Sequence, residues 1–289
     1  MNVLAPGKLL LTGAYAVLEG APAVVVAVDR YAVAHRVGSG ASPQVDVSSL
    51  YDGQSKLGLG SSAAALVARL GVEAVARGED LSAADTRHRL FAAARDAHAR
   101  EQGGGSGVDI AASVYGGALA YSVRGTSHSV REVALPKGLE VVAFFSGVSA
   151  RTSELRARVD LLRVRARDVH QARLASLAEV SELAARAVDD GDLGAFLAAA
   201  TAFGRALSEL GSAADAPIVP SAFAELALRA GDERAAFFPS GAGGGDVGIY
   251  LGEAKPSPSF LAHAARLAMQ RLQLSIDSVG VRALGAVNT

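Results

Sequence analysis

The hexapeptide Gly58-Leu59-Gly60-Ser61-Ser62-Ala63 constrains this 289-residue chain more than any other segment. Glycine tolerates positive φ and lets the backbone approach a neighbouring group closely. The stretch that follows, residues 61–77, is small and apolar except for Arg69, Glu73 and Arg77. Those charges recur at every fourth position, which predicts one solvated stripe, with i,i+4 ion pairs within reach, on a helix that is otherwise buried. Gly78 is suited to end it. A glycine loop that opens directly into a helix sets unpaired N–H groups and the positive end of the helix dipole beside the loop, where a phosphate can sit. Ser61 and Ser62 add hydroxyls able to meet phosphate oxygens or a magnesium ion. The pattern is not a Walker loop, because no Gly-Lys-Ser/Thr follows at the required spacing. Alone, it describes a tight turn capped by serine equally well.

Three further segments carry chemistry. In Ala5-Pro6-Gly7-Lys8 a lysine follows a proline–glycine turn at the head of an apolar strand; it can reach into a site or sit in solvent, as lysines usually do. In Gly105-Ser106-Gly107-Val108-Asp109 the aspartate stands at a helix start, as a cap or dipole partner, or as a base or electrostatic anchor for an acceptor group. In Gly241-Ala242-Gly243-Gly244-Gly245-Asp246 the glycines crowd against an apolar strand. Packing alone explains that cluster poorly, so close approach of the backbone to a bound group is expected, with a flexible loop as the alternative. His88 and His98 fall in a polar helix pattern and read as surface or partly buried residues. Arg156, Arg158, Arg163, Arg165 and Arg167 read as a solvated helix face of which a phosphorylated ligand would use one or two. Ser149, Arg151 and Thr152 lie at a helix start and can cap it.

Apolar runs at Leu9-Leu10-Leu11 and 23–28, the second holding Val24-Val25-Val26, predict strands, as do 31–37 and 44–49 on either side of a Gly38-Ser39-Gly40 turn. Ser82-Ala83-Ala84-Asp85 predicts a capping-box start for a second helix reaching about Glu101. A short helix over 108–115 and strands over 118–123, 131–135 and 139–145 follow. Residues 152–210 read as helix with a break at Asp189-Asp190-Gly191-Asp192. A helix over 221–230 closed by Gly231, a strand over 247–251, a helix over 258–272 and a strand near 278–283 complete the pattern. Strands and helices mix without strict alternation, which predicts an α+β fold of two lobes, 1–147 and 148–289.

Half the residues are apolar, enough for a sizeable core, and the net charge of −1 argues against a nucleic-acid partner. With no cysteine, disulfides, thiolate zinc sites and thiol nucleophiles are excluded. The longest apolar run, 21–28, falls far short of the roughly 20 residues that span a bilayer. Residues 1–8 lack the charged and apolar regions of a signal peptide. A cytoplasmic protein with no membrane partner is expected.

The order Pro-Gly-Lys, Gly-Leu-Gly-Ser-Ser-Ala, Gly-Ser-Gly-x-Asp, Gly-x-Gly-Gly-Gly resembles that of the GHMP kinases, named for galactokinase, homoserine kinase, mevalonate kinase and phosphomevalonate kinase. It covers nearly the whole chain. Within the superfamily, Gly13-Ala14-Tyr15-Ala16-Val17-Leu18-Glu19, Lys56-Leu57-Gly58-Leu59-Gly60-Ser61-Ser62-Ala63 and the run from Ser240 to Gly248 resemble the phosphomevalonate kinases. The segment between Arg30 and Lys56 is shorter than the family's usual stretch, and His98 stands where mevalonate kinases carry a magnesium-binding glutamate. The resemblance implies an N-terminal lobe like ribosomal protein S5 domain 2 and a ferredoxin-like C-terminal lobe. It implies phosphorylation of 5-phosphomevalonate to 5-diphosphomevalonate by ATP with Mg2+; the alternatives are mevalonate kinase, another small-molecule kinase of the superfamily, or a non-catalytic ligand-binding homologue. By the same resemblance Lys8 and Asp109 are the catalytic pair, Gly58 to Ala63 hold the ATP phosphates and Ser62 meets the metal. Lys8, Tyr15, Ser106, Gly107, Asp109, Ser149, Arg151, Thr152, Gly243 and Gly244 are the expected substrate-binding residues. The expected partner is a small-molecule substrate, bound by a monomer or homodimer.

Overall fold

The computed structural model describes residues 2–36, 42–102, 105–149 and 152–284. The chain begins with β1 (Asn2–Thr12), a 3-10 turn (Ala16–Glu19), β2 (Ala23–His35), β3 (Gln44–Asp46), a second 3-10 turn (Ser48–Leu50) and the small hairpin of β4 (Tyr51–Asp52) and β5 (Ser55–Lys56). Helices α1 (Ser61–Ala76), α2 (Ala84–Gln102) and α3 (Val108–Tyr115) lead to β6 (Ala118–Arg124), β7 (Ser127–Val133) and β8 (Glu140–Phe145). Then come α4 (Thr152–Arg165), α5 (Arg167–Asp190), α6 (Leu193–Ala214), α7 (Ser221–Asp232), β9 (Ala236–Pro239), β10 (Val247–Gly252), α8 (Pro258–Arg266), β11 (Gln270–Leu272) and β12 (Arg282–Leu284). This is the expected α+β class.

Two compact units divide these elements, and neither is contiguous in sequence. The first comprises Met1–Leu9, Val25–Leu119 and Ser275–Thr289. Its strands follow the order β12, β1, β2, with β3 also paired to β2, and of β6 it holds only Ala118 and Leu119. β12 lies antiparallel to β1, Asn2 opposite Leu284 and Leu4 opposite Arg282. Helix α1 packs on α2 and α3 and buries Ala64, Leu66, Val67 and Ala68, while Ser62 and Ala76 face solvent. The charged stripe is therefore where periodicity puts it, but Arg77 pairs with Glu79 at 2.8 Å instead of with Glu73. The turn before β12 is organised by Asp277, 6 % exposed. Its carboxylate accepts from the Gly280 N–H at 2.7 Å, the Tyr31 hydroxyl at 2.8 Å and the Arg282 guanidinium at 2.8 Å. Burial raises the pKa of this acid, and those donors outweigh burial and hold it below the usual carboxylate value.

The second unit comprises Leu10–Val24 and Ala120–Leu274. Its four-stranded sheet has the order β11, β8, β10, β9, antiparallel throughout. Alternation along β9 sends Phe237 to one face, where it meets Phe144, Phe223 and Phe260 edge-on or tilted, and Phe238 to the other, where it meets Phe203 of α6. Helices α7 and α8 cover the first face; α4, α5 and α6 pack on one another.

Several boundaries differ from expectation. The two expected strands from 23 and from 31 are one, β2, which ends at His35, because Asp29 at the polar junction is satisfied in place: its N–H donates to the Ser275 carbonyl and its carboxylate accepts from the Ser275 N–H; Val37 and the expected Gly38-Ser39-Gly40 turn lie outside the described residues. The expected strand 44–49 stops at Asp46, whose carboxylate takes the Ser48 N–H and turns the chain. Ser82 does not cap α2; its hydroxyl donates to Asp80. The helical run after 152 breaks at Ala166, where no sequence breaker stands. Gly231 lies inside α7. Residues 258–272 divide into α8 and β11, the helix closing with Met269 N–H on the Ala264 carbonyl and Ala268 at φ 56°. Strand β9 was not expected, and the last strand is 282–284. Among the described residues no helix is long and apolar enough to cross a membrane.

Candidate functional site

In the first unit, β1 carries Lys8 in the interior, only 5 % exposed. Its own N–H donates to the Leu59 carbonyl at 2.9 Å, so the glycine loop lies along the strand. The ammonium donates to the Gly58 carbonyl at 3.4 Å and stands 3.8 Å from the Asp109 carboxylate. A buried ammonium needs such partners to offset its lost hydration. Gly60 makes the packing possible: at φ 77° it takes a left-handed conformation, and a side chain there would begin 3.2 Å from the Lys8 Cγ and 3.5 Å from the Asp109 carboxylate. Lys8, Gly60 and Asp109 thus lie together, and Lys8 and Asp109 are the two residues that the resemblance paired.

Gly60 is also the N-cap of α1 and supplies no side-chain cap, so the first turn of that helix presents its amides beside the lysine. Leu57 and Leu59 are buried and anchor the loop; Ser61 and Ala63 are buried and Ser62 is exposed. Asp109 lies in the first turn of α3, where the helix dipole favours its charge, and its side chain is 40 % exposed. Gly107 is the N-cap of α3 at φ 80°, and the Ser106 hydroxyl accepts the Val108 N–H at 3.3 Å. A residue overlooked in the sequence completes the arrangement. Ser113 donates to the Pro6 carbonyl at 2.7 Å and ties α3 to the strand just before Lys8. Its signal was available, since it follows Asp109 by one helical turn on the same face. Among the described residues no cluster of three or more His, Asp or Glu could hold a metal ion by itself. On α2, His98 is half-buried and His88 exposed, as expected.

In the second unit, Tyr15 and the second glycine cluster belong together. The Tyr15 hydroxyl donates to the Ala242 carbonyl at 2.7 Å, and burial pushes its pKa well above the usual phenol value. The glycines that seemed to need a bound group are explained by the protein itself. Side chains would begin 2.0 Å from the Ile218 carbonyl oxygen at Gly243, 2.8 Å from Leu155 at Gly244 and 2.7 Å from the Val148 carbonyl oxygen at Gly245. Packing alone thus requires these residues, contrary to the sequence expectation. Ser240, 7 % exposed, takes the Leu10 N–H at 2.8 Å and donates to the Leu10 carbonyl at 3.2 Å, so one side chain serves both backbone groups of a strand residue. Ser149 is exposed and Thr152 is the exposed first residue of α4. Arg151 lies outside the described residues.

Comparison with known proteins bears on this arrangement. The family described as GHMP kinases N terminal domain matches residues 24–117, the stretch that contains the glycine loop, α1 and Asp109. The chain belongs to the GHMP kinase superfamily. This superfamily member is 31 % identical over 231 residues to a phosphomevalonate kinase of Streptomyces sp. (strain CL190), an alignment covering 73 % of this chain and 61 % of the relative. The matched region thus spans about three-fifths of that relative's length. The Lin0012 protein of Listeria innocua has the same fold, with TM-score 0.86 and 22 % identity over 98 % of this chain and 99 % of its own. So has the Streptococcus pneumoniae phosphomevalonate kinase solved with phosphomevalonate and AMPPNP, with TM-score 0.80 and 18 % identity over 96 % of this chain and 99 % of its own.

Proposed function

We propose that this chain is an ATP-dependent small-molecule kinase that transfers the γ-phosphoryl group to the phosphate of 5-phosphomevalonate, giving 5-diphosphomevalonate and ADP. The observation that carries the reading is the buried Lys8 ammonium, set between the Gly58 carbonyl and the Asp109 carboxylate beside the uncapped start of α1. The Streptomyces relative supports the choice of acceptor.

In this reading the amides at Ser61, Ser62 and Ala63 receive the β- and γ-phosphates of ATP. Lys8 neutralises charge building between donor and acceptor, and Asp109 orients the lysine and the acceptor. Magnesium fits this donor set, because it takes one or two protein oxygens and completes its shell with phosphates and water. The exposed Ser62 hydroxyl and the Asp109 carboxylate would hold it, and it would shield the charge of the phosphates. A phosphate acceptor is already largely ionised near neutrality, its second pKa being about 6, so no strong base is needed to activate it.

ADP release measured with 5-phosphomevalonate, mevalonate, homoserine and galactose tests the proposal. Turnover fastest with 5-phosphomevalonate supports it. Preference for mevalonate moves the chain to mevalonate kinase, and nucleotide binding by calorimetry with no turnover on any acceptor makes it a binding module.

A further inference from the structure

Arg158, Arg163, Arg165 and Arg167 are exposed, as expected, but they differ in what they engage. Arg165 donates to the Ala213 carbonyl at 2.6 Å, and Arg158 and Arg173 engage Asp215 and Glu209 at the far end of α6 and beyond it. Arg167 has no hydrogen-bond or ion-pair partner among the described residues, and Arg163 has only Asp160 at 3.8 Å with both side chains well exposed. These two line a cavity of about 480 Å³ within the second unit, together with Glu19, His170, Gln171 and Leu174.

Two independent observations give the cavity a ligand chemistry. Helix α5 is 24 residues long and starts at Arg167 behind Ala166, whose methyl group cannot cap it, so the positive end of its dipole is left without a side-chain acceptor. One turn on, His170 is 7 % exposed and lines the cavity, and its ring has no hydrogen-bond partner among the described residues. Its ring nitrogens are not among the fully buried polar atoms left without a partner, so they open into the cavity, where an acceptor oxygen can meet them. Arg163, Arg167, the His170 ring and the helix start all favour a compact anion with several acceptor oxygens. Leu174 and the neighbouring alanines offer an apolar floor, and Glu19 can accept from a hydroxyl. Asp168, in the same first turn, does not line the cavity.

We infer that this cavity is a binding site for a short-chain organic phosphate monoester, separate from the Lys8–Asp109 arrangement and sharing no residue with it. The test uses the full chain with 15N-labelled histidine, the His170 signal being the one missing from His170→Asn. Butyl phosphate should move that signal saturably, inorganic phosphate should do so more weakly, and butanol should not move it. Arg167→Glu, at an exposed position that does not disturb folding, should weaken butyl phosphate binding about tenfold or more. Lys8→Met should leave that affinity unchanged. Absence of a saturable shift, equal affinity in Arg167→Glu, or loss of the response in Lys8→Met overturns the inference. Equal binding of inorganic and butyl phosphate overturns the role of the apolar floor.

Discussion

Gly60→Ala separates the stability of the loop from its chemistry. The substitution places a β-carbon on a residue at φ 77° and 3.2 Å from the Lys8 Cγ. Left-handed backbone costs a non-glycine residue about 1–2 kcal/mol. For a chain of this size that lowers Tm by roughly 2–4 °C per kcal/mol, or about 2–8 °C in all. The contact asks Lys8 to give by a few tenths of an ångström. Since a misplacement of about 1 Å can cost about a hundredfold in rate, the shift predicts a three- to tenfold loss of kcat, by order of magnitude roughly. Gly78→Ala is the control: φ is 82° and nothing lies within 4 Å, so it carries the strain without the contact. Scanning calorimetry and coupled ADP release on both variants decide the matter. Equal losses of Tm with kcat unchanged in Gly60→Ala would refute the argument that the loop positions the lysine.

Asp109→Asn should reduce turnover with a phosphate acceptor by less than the ~10²–10⁴-fold that losing a general base costs, because the acceptor is already ionised; activity at background level would contradict that role. Ser240→Ala strips both partners from the buried Leu10 backbone and should destabilise by about 1–3 kcal/mol in urea unfolding, whereas a loss within error would mean the strand finds another partner. Tyr15→Phe leaves the Ala242 carbonyl without its donor and should cost about 1 kcal/mol, read the same way. Asp277 has a depressed folded pKa, so its contribution is present above the unfolded value of about 3.9 and fades as pH falls through the lower folded one. Unfolding midpoints against pH should therefore show a shallower acid decline for Asp277→Asn, and superimposable acid limbs would remove the carboxylate from the account.

The parts of the site that were readable in the sequence are those in which residue type and function coincide locally. A glycine loop before a small-residue helix, and an aspartate at a helix start, each fix a geometry within a few residues; that Lys8 meets Asp109 was implied by the resemblance alone. Long-range satisfaction was not readable. Whether Asp29 breaks a strand depends on Ser275, and whether Ser82 caps a helix depends on the competing Asp80. The second glycine cluster shows the same limit. Its composition signals close approach, but only the fold reveals that Ile218, Leu155 and Val148 are what it approaches. Strand β9 is short and continuously apolar, a pattern that periodicity cannot assign, and its partner β10 lies beyond the glycine cluster.

The pairing of β12 with β1 has a consequence for biosynthesis. Asn2 and Leu4 are made before β2 and every later strand, yet the strand opposite them, with the Asp277 turn that shapes it, exists only after residue 284 has been added. The strand bearing the proposed catalytic lysine must wait with an open edge until that residue has been made. Contacts so distant in sequence fold slowly, and unpaired edges invite association. This chain should therefore depend on whatever shields its early strands in the cell more than its own stability would suggest.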